Sequence, residues 1–223
     1  MIDRLKPIIL LTFPRTGASR IVGYCSEMLS LNKRFNLVPD ELTHCQQEEL
    51  LPRLSLLNER LKDREIFATK LHIHKFMHLD YPQITRMIDW VNLNTNNYHF
   101  LILNRSNTLE LCLSYLRAQH TGIWGPEVRL YSETSIVVPK IAVEKFNQEM
   151  RFFNSICSEF DASIRRISYE RVFETKEDND MLKKLTLIDF KQIGANGRYK
   201  NGTKDYFSNL NQIKEWLDGG LSN

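Results

Sequence analysis

The sequence predicts an α/β fold in which a central, mostly parallel sheet of four to five strands forms one domain over residues 1–223. Two observations support this prediction. Short apolar stretches alternate along the chain with longer stretches of helical periodicity, and this alternation implies right-handed crossovers between parallel strands. Charged and hydroxyl residues follow three of the strands, at the edge where such sheets bind ligands.

Four stretches are predicted to be strands. Residues 8–13 are apolar throughout, as expected of a strand that is buried on both faces. The other predicted strands are 66–71, 98–103 and 163–168. Because parallel strands end at the same edge, the polar segments 14–20, 70–74 and 104–107 are expected to lie together.

Helices are predicted where apolar residues recur every three to four positions. The helix from about residue 17 to 31 has its apolar stripe at Ile21, Val22, Cys25, Met28 and Leu29. Further helices are predicted at 48–62, 81–91, from about 108, and at 142–160, 181–187 and 209–217. The irregular stretch 123–138 is long enough to predict a functional loop or lid.

Composition limits the classes of partner. A net charge of +3 and a pI near 8.6 are too mild to indicate nucleic acid binding, although a local basic pocket for a small anion is compatible with them. The apolar run after Pro7 is too short to predict a membrane span. Four scattered cysteines without a C-x-x-C pair favour reduced thiols in a cytoplasmic protein. The sequence carries no signal for an oligomeric state.

The segment FPRTGASR, residues 13–20, joins the first strand to the first helix. Gly17 permits a tight turn, and the N–H groups after it point outward at the positive end of the helix. The hydroxyls of Thr16 and Ser19 can add donors, and Arg15 can pair with a phosphate or sulfate in forked geometry. The segment therefore predicts an anion site, and simple helix capping by Thr16 or Ser19 is the alternative.

A second pair of anion-binding side chains follows the third strand. Arg105 comes directly after the strand, and Ser114 lies two turns into the next helix. A guanidinium and a hydroxyl so arranged can hold a second phosphate. The alternative for Arg105 is a surface charge.

Together these segments resemble the sulfotransferases that use 3′-phosphoadenosine 5′-phosphosulfate (PAPS). FPRTGASR resembles their 5′-phosphosulfate loop, [YT]-P-[RK]-S-G-[ST]-[ST], and Arg105 and Ser114 resemble the Arg and Ser that bind the 3′-phosphate. ISYERV, residues 167–172, is similar to their YEdL element. The resemblance implies a three-layer α/β/α fold like that of P-loop-containing nucleotide hydrolases, and transfer of a sulfuryl group to a hydroxyl.

Within this superfamily the likeness is greatest to the bacterial trehalose 2-sulfotransferase type. That group has a helix that reads roughly R-R-D-K-x-x-Q-A-x-S-x-x-R-A-x-x-T-G-x-W. Its spacing is kept here by Ser114, Arg117, Ala118, Thr121, Gly122 and Trp124. ATKLHIH, residues 68–74, resembles the group's G-x-K-L-x-W segment, and VPDEL, residues 38–42, lies where its P-E-E-[YF] stretch bears a proposed catalytic carboxylate. The likeness extends intermittently over residues 8–172.

The resemblance implies binding of PAPS, with adenosine 3′,5′-bisphosphate (PAP) as product, and a carbohydrate or another small metabolite as acceptor. The implied nucleotide-binding residues are Arg15, Thr16, Gly17, Ala18, Ser19, Arg20, Arg105 and Ser114, joined by Arg198, Lys200 and Gly202 of a basic closing loop at about 194–206. A solvated basic turn is the alternative for that loop. Lys70, His74 and Trp124 are expected to contact the acceptor, covered by the 123–138 loop. Arg15 would stabilise the leaving oxygen as an electrostatic catalyst.

Two residues are candidates for the general base. Glu41 comes first by its position in VPDEL, with the alternative that it is a carboxylate at a helix N-terminus. His72 comes second, because Lys70, His72 and His74 alternate and would share one face of an extended segment. The alternative for both histidines is polar residues at a strand end. No metal is expected, since H-x-H lacks further ligands.

Three departures from the family pattern bear on activity. Arg105 lies nine residues before Ser114, and Ser106 occupies the usual eight-before position. Ala18 removes one hydroxyl donor from the first loop, and Arg20 stands where an apolar or aromatic residue near the adenine is common, so its guanidinium is expected to stack there. A non-catalytic nucleotide-binding protein is therefore an alternative. A P-loop kinase is a weaker one, because the Walker lysine is absent.

Overall fold

The structure, a computed structural model, describes residues 6–30, 50–63, 68–122, 124, 135–186, 188–190 and 206–221. Within these residues four strands form one parallel sheet in the spatial order β2-β1-β3-β4. The strands are β1 (Ile8–Thr12), β2 (Ala68–His72), β3 (His99–Asn104) and β4 (Arg165–Ser168). The prediction of an α/β fold with a mostly parallel sheet of four to five strands is confirmed.

The helices follow the sequence periodicity closely. They are α1 (Ala18–Ser30), α2 (Leu50–Lys62), α3 (Tyr81–Leu93), α4 (Thr108–Thr121), α5 (Lys140–Ser158), α6 (Tyr169–Phe173), α7 (Asn179–Thr186) and α8 (Leu210–Leu221). The periodicity does not predict two short elements, namely α6 and a 3₁₀ helix at Ile73–His78. Elements of five or six residues are too short to show helical periodicity in a sequence.

The strand register brings the polar strand ends together. Thr12, at the end of β1, lies opposite His72 of β2 on one side and Leu103 of β3 on the other. β3 in turn pairs Asn104 with Ser168 of β4. The segments after all four strands therefore lie at one edge of the sheet.

Two hydrophobic cores lie on opposite faces of the sheet, because alternate residues of a strand point to opposite faces. Ile8 and Leu10 pack with α1, α6 and α7, and Ile9 and Leu11 pack with α2, α3, α4, α5 and α8. All five residues of β1 are buried. Helices thus cover both faces of the sheet, and the FPRTGASR loop follows β1, one of the two inner strands.

The cysteines that the structure describes are buried free thiols. Burial raises the pKa of Cys25, Cys112 and Cys157 to about 12, which suppresses the reactive thiolate. Cys45 lies outside the described residues. None of the described helices combines the length and the apolarity needed to cross a bilayer.

Candidate functional site

The loop after β1 requires an unusual backbone. Gly17 has φ +89°, and Arg15, which is not a glycine, has φ +67°. A Cβ on Gly17 would lie 2.7 Å from Cε2 of Phe173 and 2.9 Å from Cδ2 of Tyr169, so α6 packs directly on the glycine. Left-handed conformations at non-glycine residues are costly and cluster at functional sites, so Arg15 is a candidate on backbone grounds alone.

Gly17→Ala is therefore expected to lower the free energy of unfolding by about 2 kcal/mol, because the positive φ and the contact with α6 both oppose a side chain. Urea unfolding measures this change. Gly23→Ala is the matched control: nothing lies within 4 Å of the position that a Cβ would occupy there, so alanine in the middle of α1 should stabilise the helix by about 1 kcal/mol. Equal effects of the two substitutions would contradict the expectation.

The Thr16 side chain is fully buried within the loop. Its Oγ1 lies 2.8 Å from the Phe13 carbonyl oxygen and shares a hydrogen bond with the Thr12 hydroxyl, whose Oγ1 lies 3.2 Å from Leu103 O of β3. The expectation that this hydroxyl donates to a bound anion needs correction. It points inside the loop, where it holds the loop to the ends of two strands.

The N-terminus of α1 lies beside a lysine. Gly17 O accepts hydrogen bonds from the N–H groups of Arg20 (3.0 Å) and Ile21 (3.3 Å). The N–H groups of Ala18 and Ser19 therefore precede the first backbone hydrogen bonds of the helix. Lys70 Nζ donates to Ser19 Oγ at 2.9 Å. Ser19, which is predicted to contact the nucleotide, and Lys70, which is predicted to contact the acceptor, thus lie together at the positive end of α1.

Arg15 joins the loop to α4. Its Nε donates to Ser114 Oγ at 3.0 Å, and a terminal nitrogen donates to the Trp124 carbonyl at 2.6 Å. Arg15 thus contacts two residues predicted from a second, distant segment of the chain. Trp124 is 47% exposed and lies edge-on to Tyr115, with ring centroids 5.7 Å apart, so its indole is accessible to a ligand.

The expectation that Lys70, His72 and His74 share one face also needs correction. The strand ends at His72 and a 3₁₀ helix begins at Ile73, so the alternation stops there. Lys70 reaches Ser19 on the α1 side, whereas His74 packs on the opposite face, 4.9 Å from the Phe13 ring. The rings of His72 and His74 remain 5.9 Å apart.

His74 is an unusual core residue. It is 4% exposed and packs against the rings of Phe13 and Tyr115, and neither ring nitrogen has a hydrogen-bond partner among the described residues. Burial, aided by the charges of His72 and Lys75, lowers its pKa to about 2. Its imidazole is therefore neutral at physiological pH and a poor base.

Arg105 is held by protein carboxylates. Its guanidinium contacts the Glu110 carboxylate, lies 3.7 Å from Glu170 Oε1, and stacks 4.6 Å above the Tyr169 ring centroid. Its side chain is 14% exposed. The residue predicted to bind the 3′-phosphate is thus already paired, and no pattern in the sequence indicates this because Glu170 is distant along the chain.

Arg20 stacks on a ring of the protein. Its guanidinium carbon lies 4.9 Å from the Phe173 ring centroid, on the side of the loop that α6 covers. Burial and the charge of Arg20 lower the pKa of Lys176, so two cations lie near each other here. The predicted stacking of Arg20 on adenine stays a prediction.

A buried polar group on α4 and α5 is absent from the sequence predictions. Tyr115 OH donates to the Glu149 carboxylate and accepts from Gln119 Nε2 at 2.8 Å. Burial, followed by the hydrogen bond and charge of Glu149, raises the pKa of Tyr115. The sequence does contain a sign of this group, namely Glu149. It is an acidic residue among the apolar positions of α5 that face the core, which include Phe146, Met150 and Phe153.

Several candidates lie outside the described residues. They are Glu41 and the closing-loop residues Arg198, Lys200 and Gly202, together with most of the 123–138 and 194–206 segments. Across the described residues, no group of three or more His, Cys, Asp or Glu side chains is arranged to hold a metal ion.

No protein-family model matches the chain, and a search of curated proteins finds no match. Function must therefore be inferred from the geometry around the β1–α1 loop.

Proposed function

We propose that the chain is a sulfotransferase that moves a sulfuryl group from PAPS to a hydroxyl of a carbohydrate or another small metabolite. The observation that carries the proposal is the contact of Arg15 with Ser114 beside the N-terminus of α1. This contact brings a guanidinium from the β1–α1 loop to a hydroxyl on the helix after β3. Both lie at the sheet edge where open α/β folds bind ligands.

The charge at this edge suits a tetrahedral anion. Arg15 and Lys70 contribute two cationic side chains, and Ala18 and Ser19 contribute N–H groups at the positive end of α1. Backbone N–H groups at a helix N-terminus together with a forked guanidinium are a common phosphate and sulfate site. The 5′-phosphosulfate of the donor is the group that would take these donors.

The residues at the site have distinct roles in the transfer. When bound, the donor supplies a sulfuryl group, whose bond to the 5′-phosphate oxygen breaks as a bond to the acceptor oxygen forms. Arg15 and the N–H groups of Ala18 and Ser19 stabilise the charge that develops on the leaving oxygen. The acceptor's proton passes to a general base, for which Glu41 and His72 are the candidates.

The two histidines differ in their suitability as bases. His74 is deeply buried, and its lowered pKa makes it a weak proton acceptor. His72 is only partly buried at the end of β2, adjacent in register to Thr12 at the base of the loop. His72 is therefore the base candidate within the described residues, and the predicted contact of His74 with the acceptor stays a prediction.

A second candidate function is non-catalytic nucleotide binding. The features in its favour are Ala18, which removes a hydroxyl donor from the first loop, and Ser106-Asn107 in place of the common Arg-Asp pair. Turnover separates the two functions: sulfate transfer from labelled PAPS into a metabolite extract supports the enzyme, and nucleotide binding without transfer supports the alternative.

PAP is expected to raise the melting temperature. Ligand at a hundred times its dissociation constant stabilises a protein by about 2.7 kcal/mol, which for a chain of this size corresponds to a rise on the order of 5 to 10 °C. Differential scanning fluorimetry checks this. Arg15→Ala should lose most of the shift. No shift with the wild-type protein at millimolar PAP would refute nucleotide binding.

A further inference from the structure

A buried hydrogen bond joins α4 to α5 beside the site. Tyr115 OH donates to the Glu149 carboxylate, and the two residues are only 2% and 7% exposed. The phenol packs on apolar rings of the core, with centroids 5.5 Å from Phe13 and 5.6 Å from Phe146. The Gln119 amide donates to the same hydroxyl from the next turn of α4. Packing and two hydrogen bonds therefore fix the position of the phenol.

Stability alone does not account for the Tyr115–Glu149 pair. A carboxyl group loses its hydration when it is buried, and a hydrogen bond returns only part of that free energy. Replacing both partners of such a bond by apolar groups of similar shape is often neutral or stabilising. Met150 and Phe153 show that apolar residues fit the core-facing side of α5. A role other than stability is therefore expected of the pair.

Both groups that orient Arg15 depend on the placement of Tyr115. Ser114, whose Oγ accepts from Arg15 Nε, directly precedes Tyr115 in α4. Trp124, whose carbonyl accepts from a terminal nitrogen of Arg15, packs edge-on against the Tyr115 ring at 5.7 Å between centroids. A displacement of the phenol or a rotation of α4 would therefore move both partners of the arginine.

We infer that Tyr115 and Glu149 are positioning residues for Arg15. Glu149 holds the phenol from α5, the phenol holds α4 and Trp124, and these hold the guanidinium beside the N-terminus of α1. The inference rests on the proposed function, in which Arg15 stabilises the leaving oxygen. A small displacement of such a group costs up to about a hundredfold in rate.

Three variants separate positioning from stability. The double variant Tyr115→Phe/Glu149→Leu removes both partners of the hydrogen bond at once, so neither is left unpaired in the core. Glu149→Gln keeps an oxygen that can accept from Tyr115 OH. Tyr98→Phe is the matched control: Tyr98 is 3% exposed and donates to Asn58, but it precedes β3, at the opposite end of that strand from the site.

The double variant should be at least as stable as wild type in urea, yet its transfer from labelled PAPS into a metabolite extract should be about tenfold slower. Glu149→Gln should keep a rate within about twofold of wild type, and Tyr98→Phe should lose stability without losing rate. In an Arg15→Ala background the double substitution should change the rate by less than about twofold, because the pair acts through Arg15.

Fluorescence of Trp124 tests the same contacts without a substrate. Its contribution is the difference between each protein and its Trp124→Phe counterpart, since Trp90 and Trp216 are present in both. In the double variant the Trp124 emission should shift to the red and its anisotropy should fall, because the indole loses a fixed neighbour. Neither quantity should change in Glu149→Gln or Tyr98→Phe. Tyr115→Phe alone serves where the double variant does not fold.

Each contrary outcome identifies what fails. A wild-type rate in the double variant, or an unchanged Trp124 emission, overturns the inference and leaves the proposed function intact. A loss of rate that is as large in the Arg15→Ala background as in the wild type shows that the pair acts elsewhere, and it also overturns the inference. Absence of both PAP binding and transfer in the wild-type protein overturns the proposed function, and the inference with it.

Discussion

Arg15→Ala is expected to lower the rate of sulfuryl transfer by about a hundredfold to a thousandfold, the usual consequence of removing one preorganised donor from a developing negative charge. The side chain reaches the site from a left-handed backbone position and is oriented by Ser114 and the Trp124 carbonyl. The substitution removes a positive charge from the place where negative charge would develop on the leaving oxygen of the nucleotide. Transfer from labelled PAPS into a metabolite extract measures the rate.

Two further variants separate catalysis from stability at this position. Arg15→Gly should be more stable than Arg15→Ala by about 1 kcal/mol, because glycine tolerates positive φ, yet it should be equally inactive. Arg15→Lys retains a charge without the forked geometry, so its rate should fall between those of the wild-type and alanine proteins. Wild-type rates in Arg15→Ala would exclude this residue from the chemistry.

Much of the frame of the site could be predicted from the sequence. The apolar β1 and the glycine after it indicate a buried strand that turns into a helix, and parallel strands bring their ends to one edge whatever the details of packing. Arg15, which follows β1, contacts Ser114 of α4 and the carbonyl of Trp124 beyond it, so two distant segments meet at this edge. The convergence of the segments after the strands depends only on periodicity and on the direction of the strands, whereas the choice of Trp124 depends on the resemblance.

The sequence alone does not predict which side chains from distant elements pair with one another. Arg105 has the position of a phosphate ligand, but Glu170 reaches it from α6, a five-residue helix without a periodic signal. Thr16 has the position of an anion ligand, but a loop this tight turns its hydroxyl back to the Phe13 carbonyl. In both cases the side chain has a partner within the protein, and a single sequence does not show which partner is nearest.

His74 gives the largest expected change in stability with pH. Its ordinary pKa of about 6.5 applies in the unfolded chain, and burial lowers the pKa in the folded protein to about 2. Between these values the unfolded state binds one more proton than the folded state, so the free energy of unfolding falls as the pH falls. His74→Leu removes this difference. Relative to wild type, the variant should gain about 2 kcal/mol of stability between pH 6.5 and pH 4.5.

Urea unfolding of both proteins across this pH range checks the prediction. The quantity to compare is the difference in free energy of unfolding between the two proteins at each pH. His99 is present in both, and burial and the charge of Lys6 lower its pKa as well, so its contribution cancels in this difference. Met87→Leu is the matched control: it alters an equally buried core position without a titratable group, so its stability should run parallel to that of wild type. A His74→Leu difference that stays constant with pH would mean that the imidazole is hydrated or paired in solution. A hydrated imidazole would be accessible to an acceptor hydroxyl, whereas a paired one would not.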